Sequence, residues 1–449
     1  MSDALREAVR TAMPAARADL ERLVRIPSVA FPGFPPEPVR AAAEATREVL
    51  AAAGYQNARL IEIPGGQPAV YAEIPPPPGA PTVLLYAHYD VQPAGEGWQT
   101  DPFAPVEREG RLRGRGAADD KAGIIMHALA ARAHAGRPPV GVKVIVEGEE
   151  ETGTSHLEAA LADYRDLLRA EAIVVADAGN WKRGAPTLTT TLRGVAKAIV
   201  EVRALEKAVH SGLFGGPAPD ALIALVKMLA ALYDEAGNTV IPGLAREPWV
   251  GLDYPEAEFR RQAGVLPGVG LAGTGSLSEQ LWTSPAAAII GLDAPRVEGA
   301  GNALVPTARA AIALRLPPNQ DPRRAFELLA SHLRAVAPWQ VQVDIRCEGL
   351  GAGYAVDAAA PAVAAARRAL ERAYGEPAVL MGSGGSIPLI NALAAILPGA
   401  AIVMWGVEDP DAGIHGPNEG VDLGELERMA LAEAYFLEEL VTARREDAA

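Results

Sequence analysis

Short, almost wholly apolar runs alternate with longer stretches in which apolar residues return every three to four positions. Residues 3–25 and 37–53 carry the helical period, and the first stops before Ile26-Pro27-Ser28, where a proline disfavours helix in the residue before it. TVLLYA (82–87), VKVIVE (142–147) and AIVVAD (172–177) are runs of the kind buried on both faces of a sheet, and 120–134 is a helix between the first two. Strand and helix in alternation predict an α/β unit with a mixed, mostly parallel sheet flanked by helices.

After Arg193-Gly194 the pattern changes. A half-wet strand (196–204), a helix (218–234), strands at 286–292 and 308–316, a helix (322–336) and a strand (339–346) follow, with a Pro- and Gly-rich stretch at 242–275. The order β-α-β-β-α-β is the split βαβ, ferredoxin-like arrangement. From about 357 the first pattern resumes: helix 360–374, a glycine-rich loop 381–386, helix 387–396, strand 401–407 and helix 423–444. The reading is a first unit in two parts, 1–193 and 356–449, with an α+β domain, 194–355, inserted between them.

Composition narrows the partners. The 449 residues carry a net charge of -15, the wrong sign for a phosphate backbone, so nucleic acid is not expected. The single cysteine, Cys347, leaves no disulfide framework and no Cys-rich zinc module, so a metal would be held by His, Asp and Glu. The first helix lacks the basic-then-apolar layout of a secretory leader, and no run of about 18 apolar residues occurs, so neither a membrane span nor export is expected. A cytoplasmic protein is the resulting expectation.

Chemistry-bearing residues gather where the apolar runs end. His88-Tyr89-Asp90 follows the first, Glu149-Glu150-Glu151 the second, Asp177 closes the third, and Glu408 through His415 follows the last. Arg113–Lys121, with Asp119-Asp120, opens the 120–134 helix. Each has a plain alternative: a core histidine, a helix N-cap, a solvated turn or a surface loop. Together they fall where open α/β sheets bind ligands, outside the carboxyl ends of the strands. Two imidazoles and three carboxylates suit a pair of zinc-type ions. Asp119 would bridge, His88 and Asp177 would serve one ion, and Glu151 and His415 the other. Water on such ions has a pKa near 7 instead of 15.7. Glu150 is then placed as general base and acid, and Asp90 as the carboxylate that orients an imidazole.

The runs AHYDVQP (87–93), WQTDPF (98–103), GRGAADDKAG (114–123), EGEEETGT (147–154), AVHSGLFGG (208–216), LRLPPNQ (314–320), GGSIP (384–388) and HGPNE (415–419) resemble the dinuclear zinc peptidases and amidohydrolases. That family includes carboxypeptidase G, aminoacylase, succinyl-diaminopimelate desuccinylase and carnosinase-like dipeptidases, and the wording is most similar to the dipeptidases. The resemblance implies the same ligands, Glu150 as the base and a cis Asp119-Asp120 peptide. It also implies that His210 is a lid histidine serving the partner subunit of a homodimer, and that Arg315 clamps a substrate carboxylate. Asn302 and the Gly385-Ser386 backbone are further substrate contacts on this resemblance. MGSGGSIP lacks the Arg-Glu pair that often precedes GGSIP, and AVHSG replaces the commoner Asp-Leu-His-Ser-Gly.

The function expected is metal-dependent hydrolysis of the amide bond of dipeptides or short peptides with a free C-terminal carboxylate, using zinc, with manganese or cobalt also suited to the donors. N-acyl amino acid deacylation is the alternative in the same chemistry. A metal-free binding protein would have lost ligands, and none of the five is missing. A dinucleotide enzyme would need G-x-G-x-x-G, and GLGAG (349–353) falls short of it.

Overall fold

A computed structural model describes residues 2–153, 156–385 and 387–447. The chain forms two compact units. One comprises the chain up to Thr190, Val356–Met381 and Leu389 onward; the other comprises Thr191–Ala355 and Gly382–Pro388.

In the larger unit the strands Gly141–Glu147, Thr82–His88, Ala172–Val175 and Ala401–Met404 lie side by side in that order, all parallel. Most of their residues are buried Val, Ile, Leu and Ala, as the apolar runs require. The sheet is parallel only at its centre. Gln56–Ile61 and Ala69–Ile74 extend one side antiparallel, and Thr187–Leu192 the other. Gln56–Ile61 escapes the apolar-run test because it is partly exposed and Thr187–Leu192 because it is Thr-rich, whereas Ala69–Ile74 is apolar and buried and was simply not singled out. The helix Lys121–Ala133 is buried from Lys121 to Ala131 because it packs against Ser2–Val24, Leu423–Asp447 and the strand Thr82–His88. A small sheet of Val106–Arg108, Arg111–Arg113 and Gly420–Asp422 was not foreseen. Its hairpin turns at Glu109 and Gly110, both at positive φ.

The consequence for function is geometric. His88 pairs with Glu147, Tyr86 with Val175, and Val175 with Met404. Four parallel strands in this register end together, so the segments starting at 89, 148, 176 and 405 leave from one edge.

The inserted unit is a four-stranded antiparallel sheet in the order Ala286–Asp293, Thr307–Leu316, Gly194–Arg203, Gln342–Gly351. Alternate residues of the two central strands (Ala196, Ala198, Val200, Val202; Ala308, Ala310, Ile312, Leu314) are buried, and the helices Ala221–Ala230 and Pro322–Ala335 pack against this sheet. Two local expectations shift. The 381–386 loop begins as the strand Val379–Ser383, and Pro338–Gln340 forms a 3-10 turn that delays the last strand to Gln342.

Candidate metal centre

At the shared strand edge, His88 is fully buried. Its ring is fixed from both sides: Nε2 lies 3.0 Å from Asp119 Oδ1, and Nδ1 lies 3.1 Å from the Asp90 carbonyl. The His88 amide donates to Asp120 Oδ2 at 3.2 Å. Asp90, also fully buried, turns its carboxylate to the neighbouring strand end, where Oδ1 and Oδ2 accept from the Glu150 and Glu151 amides at 3.1 Å each. One side chain thus ties the His88 loop to the Glu150–Glu151 turn.

Asp119 faces two imidazoles. Its Oδ1 meets His88, and its Oδ2 lies 3.0 Å from His415 Nε2. His415 Nε2 is also 3.1 Å from Glu151 Oε2, which accepts from Gln92 Nε2 at 2.7 Å. The Asp119-Asp120 peptide is cis, as the resemblance implied. Donor atoms fall into three overlapping sets, each within 4.8 Å: His88, Glu150 and Asp177; Asp119, Glu151 and His415; Asp119, Asp177 and Glu408. All five expected ligands are therefore brought together, with Glu150 among them. Glu408 was not singled out as a donor. Its signal is the close approach of two glycines. A Cβ on Gly406 would lie 2.0 Å from the Ala178 carbonyl and one on Gly179 2.6 Å from the Glu408 carbonyl, so the 176–180 and 405–408 segments run in contact.

Electrostatics supply the test of fit. Burial, with repulsion from Asp119 and Glu151, pushes Asp177 up to about 7 despite His88. Burial and Asp177 hold Glu150 well above the ordinary glutamate range, and burial with Asp119 and Asp177 does the same to Glu408. Asp119 goes the other way: its burial is outweighed by hydrogen bonds with His415 and His88. Those bonds, with Glu151, carry His415 up to about 10. Five carboxylates in one cleft repel one another unless protons or cations intervene. Hard oxygen donors and imidazole nitrogens at this density fit divalent cations of the zinc type.

The residues assigned to substrate stand in the inserted unit. His210, exposed, pairs with Ala303 across a two-residue ladder, and its Nδ1 accepts from the Gly212 amide at 3.0 Å. The Ser211 amide donates to the Asn302 carbonyl at 2.9 Å, so His210 and Asn302 are neighbours. Arg315 lies on the strand Thr307–Leu316, opposite Ala286 and Val195. Near it is Arg193, which the sequence did not single out. This buried guanidinium donates to the Leu281 and Ser284 carbonyls, and burial and Arg315 bring its pKa down to about 10. Gly385 is exposed, with its amide donating to Ser383 Oγ at 3.3 Å. Ser386 lies outside the described residues.

The chain matches the model of peptidase family M20/M25/M40 over residues 84–439 and belongs to that family. It is 42% identical to the cysteinylglycine-S-conjugate dipeptidase of Corynebacterium striatum, across 80% of this chain and 81% of that one. It is 28% identical to the Beta-Ala-His dipeptidase of Rattus norvegicus, across 84% and 82%. The crystal structure of human carnosine dipeptidase 1 superposes with a TM-score of 0.79 at 24% identity, covering 98% of both chains. Among the described residues no helix is long and apolar enough to cross a membrane.

Proposed function

We propose that the protein is a metallodipeptidase that cleaves the amide bond of dipeptides bearing a free C-terminal carboxylate. The observation that carries the reading is Asp119, with one carboxylate oxygen toward His88 and the other toward His415, at 3.0 Å each. Such a carboxylate is suited to bridge two cations. In this reading His88 and Asp177 hold one, Glu151 and His415 the other, and zinc is the metal, with manganese and cobalt as substitutes. When bound, the cations supply the Lewis acidity that makes water a nucleophile near neutral pH. Glu150 takes the proton from the attacking water and delivers it to the leaving amine. Burial and the Asp177 charge raise its proton affinity, which suits a group that must give as well as take. Asp90 orients His88 and the 150–151 turn.

We assign Arg315 to the substrate carboxylate, for which a guanidinium fork is suited. His210, Asn302, Gly385 and Ser386 complete the substrate contacts, with His210 serving a second copy in a homodimer formed through the inserted unit. A cytoplasmic location goes with this reading. Dipeptidases among the similar proteins favour it over N-acyl amino acid deacylation. The test is a substrate panel on zinc-loaded protein: Cys-Gly and β-Ala-His against N-acetyl and N-succinyl amino acids. Release of free amino acids from dipeptides is expected. Turnover confined to the acylated compounds would install the deacylase instead.

A further inference from the structure

Beside the donor cluster lies a buried ion pair that the proposed chemistry does not use. Glu419 and Arg115 are 0% and 1% exposed, and Arg115 Nη1 donates to Glu419 Oε2 at 2.6 Å. The remaining capacity of the carboxylate goes to the turn that ends in Asp119. Oε2 also accepts from the Gly116 amide at 3.1 Å, and Oε1 accepts from the Ala118 and Asp119 amides at 3.0 and 3.2 Å. The other arm of Arg115 reaches the neighbour of His415, with Nη2 donating to the Gly416 carbonyl at 3.1 Å. The backbone repeats the link, since the Gly114 amide donates to the Glu419 carbonyl at 2.9 Å.

We infer that Glu419, with Arg115, is a positioning residue that holds Asp119 and His415 in mutual register and thereby sets the affinity of one cation of the pair, that of Glu151 and His415. The inference rests on the proposed two-cation centre. Four donors converge on two oxygens, and only a carboxylate offers acceptors to all four. The partners lie 300 to 304 residues apart in sequence, and the ladder that pairs Gly420 with Arg113 brings their segments together, leaving the side chain of Glu419 to fix the turn that follows. The other half of the centre is held differently. His88 also meets Asp119, but it is held in addition by the Asp90 carbonyl and the Asp120 carboxylate, and neither Asp90 nor Asp120 is a hydrogen-bond partner of Glu419 among the described residues. Loss of Glu419 therefore falls unequally on the two cations.

The test is zinc binding by calorimetry and by metal analysis after dialysis against buffered free zinc, on metal-free full-length protein. Wild type is expected to hold two ions per chain. Glu419→Gln, whose amide group would face donors, is expected to keep one and to bind the other about ten- to a hundredfold more weakly. His415→Ala is expected to hold one ion, and His415→Ala with Glu419→Gln the same one with the same affinity, because both changes act on one site. Arg115→Lys, which keeps the charge and gives up the fork, is expected to shift the same ion in the same direction, and it carries the comparison if Glu419→Gln does not fold. Equal weakening of both ions, unchanged binding of both, or loss of a further ion in the double variant would overturn the inference. A wild-type protein that holds fewer than two ions would instead remove the two-cation reading itself.

Discussion

In the larger unit the candidate groups are fixed from several directions, and all but the exposed His415 are buried or half-buried: His88 is held by Asp90, Asp119 and Asp120, and Asp119 by Glu419 and two imidazoles. In the inserted unit His210 and Asn302 are exposed, and among the described residues the one bond to the His210 ring comes from Gly212, two residues on. The first set is pre-organised by the fold, as a centre for small cations must be, because ligand atoms have to converge within a few tenths of an ångström. The second set is presented rather than locked, which suits groups that meet a substrate or a second copy.

That contrast can be broken by experiment. Chelation should have the largest effect, abolishing dipeptide hydrolysis, with recovery on adding zinc; activity that survives exhaustive chelation would refute the metal centre. Glu150→Gln should come next, lowering kcat by about 10²–10⁴-fold while both ions remain. If it loses an ion, Glu150 belongs with His88 and Asp177 as a ligand. Arg315→Met should raise KM for dipeptides by roughly ten- to a hundredfold, the equivalent of about 1.5–3 kcal/mol for hydrogen bonds to a charged group, without changing ion occupancy. His210→Ala should lower kcat yet leave zinc stoichiometry unchanged and unfolding free energy within about 0.5 kcal/mol, as for exposed positions.

A smaller effect concerns pH. Asp177 has an ordinary value of 3.8 and is pushed up to about 7 in this fold. Between those limits the folded chain holds a proton that the unfolded chain has released. The contribution to stability is complete at low pH and is lost as pH rises through about 7. Cations relieve the same repulsion, so the gain in melting temperature on adding zinc should grow from pH 5 to pH 8. A gain that shrinks over that range would mean the carboxylates are not the ion's ligands.

Within the sequence, the buried strands and the polar residues at their ends were legible, because a strand covered on both faces must be apolar along its length and its ligands must follow it. His88, Asp119, Glu151, Asp177 and His415 each stood beside such a run or at a helix start. Arg115 and Arg193 were not assigned roles, since a charged residue on a loop has the same local signature whether it is solvated or buried, and Glu408 follows an apolar run but shares that place with Asp409, Asp411 and His415, among which local sequence does not choose. The antiparallel strands Gln56–Ile61 and Thr187–Leu192 escaped for a related reason: half-exposed or Thr-rich strands carry no distinctive periodicity.

The sequence by itself determined which segments are strands buried in a sheet, where the chain changes from one architecture to another, and which side chains are able to hold a cation. Only the tertiary structure decided that Asp119 turns one oxygen to each imidazole, that Glu408 joins the cluster, and that Glu419 reaches across some 300 residues to hold the turn before it. The physical reason is that residue type and local period are properties of short stretches. Burial, charge pairing and ligand convergence arise where distant stretches meet, and no short stretch contains that information.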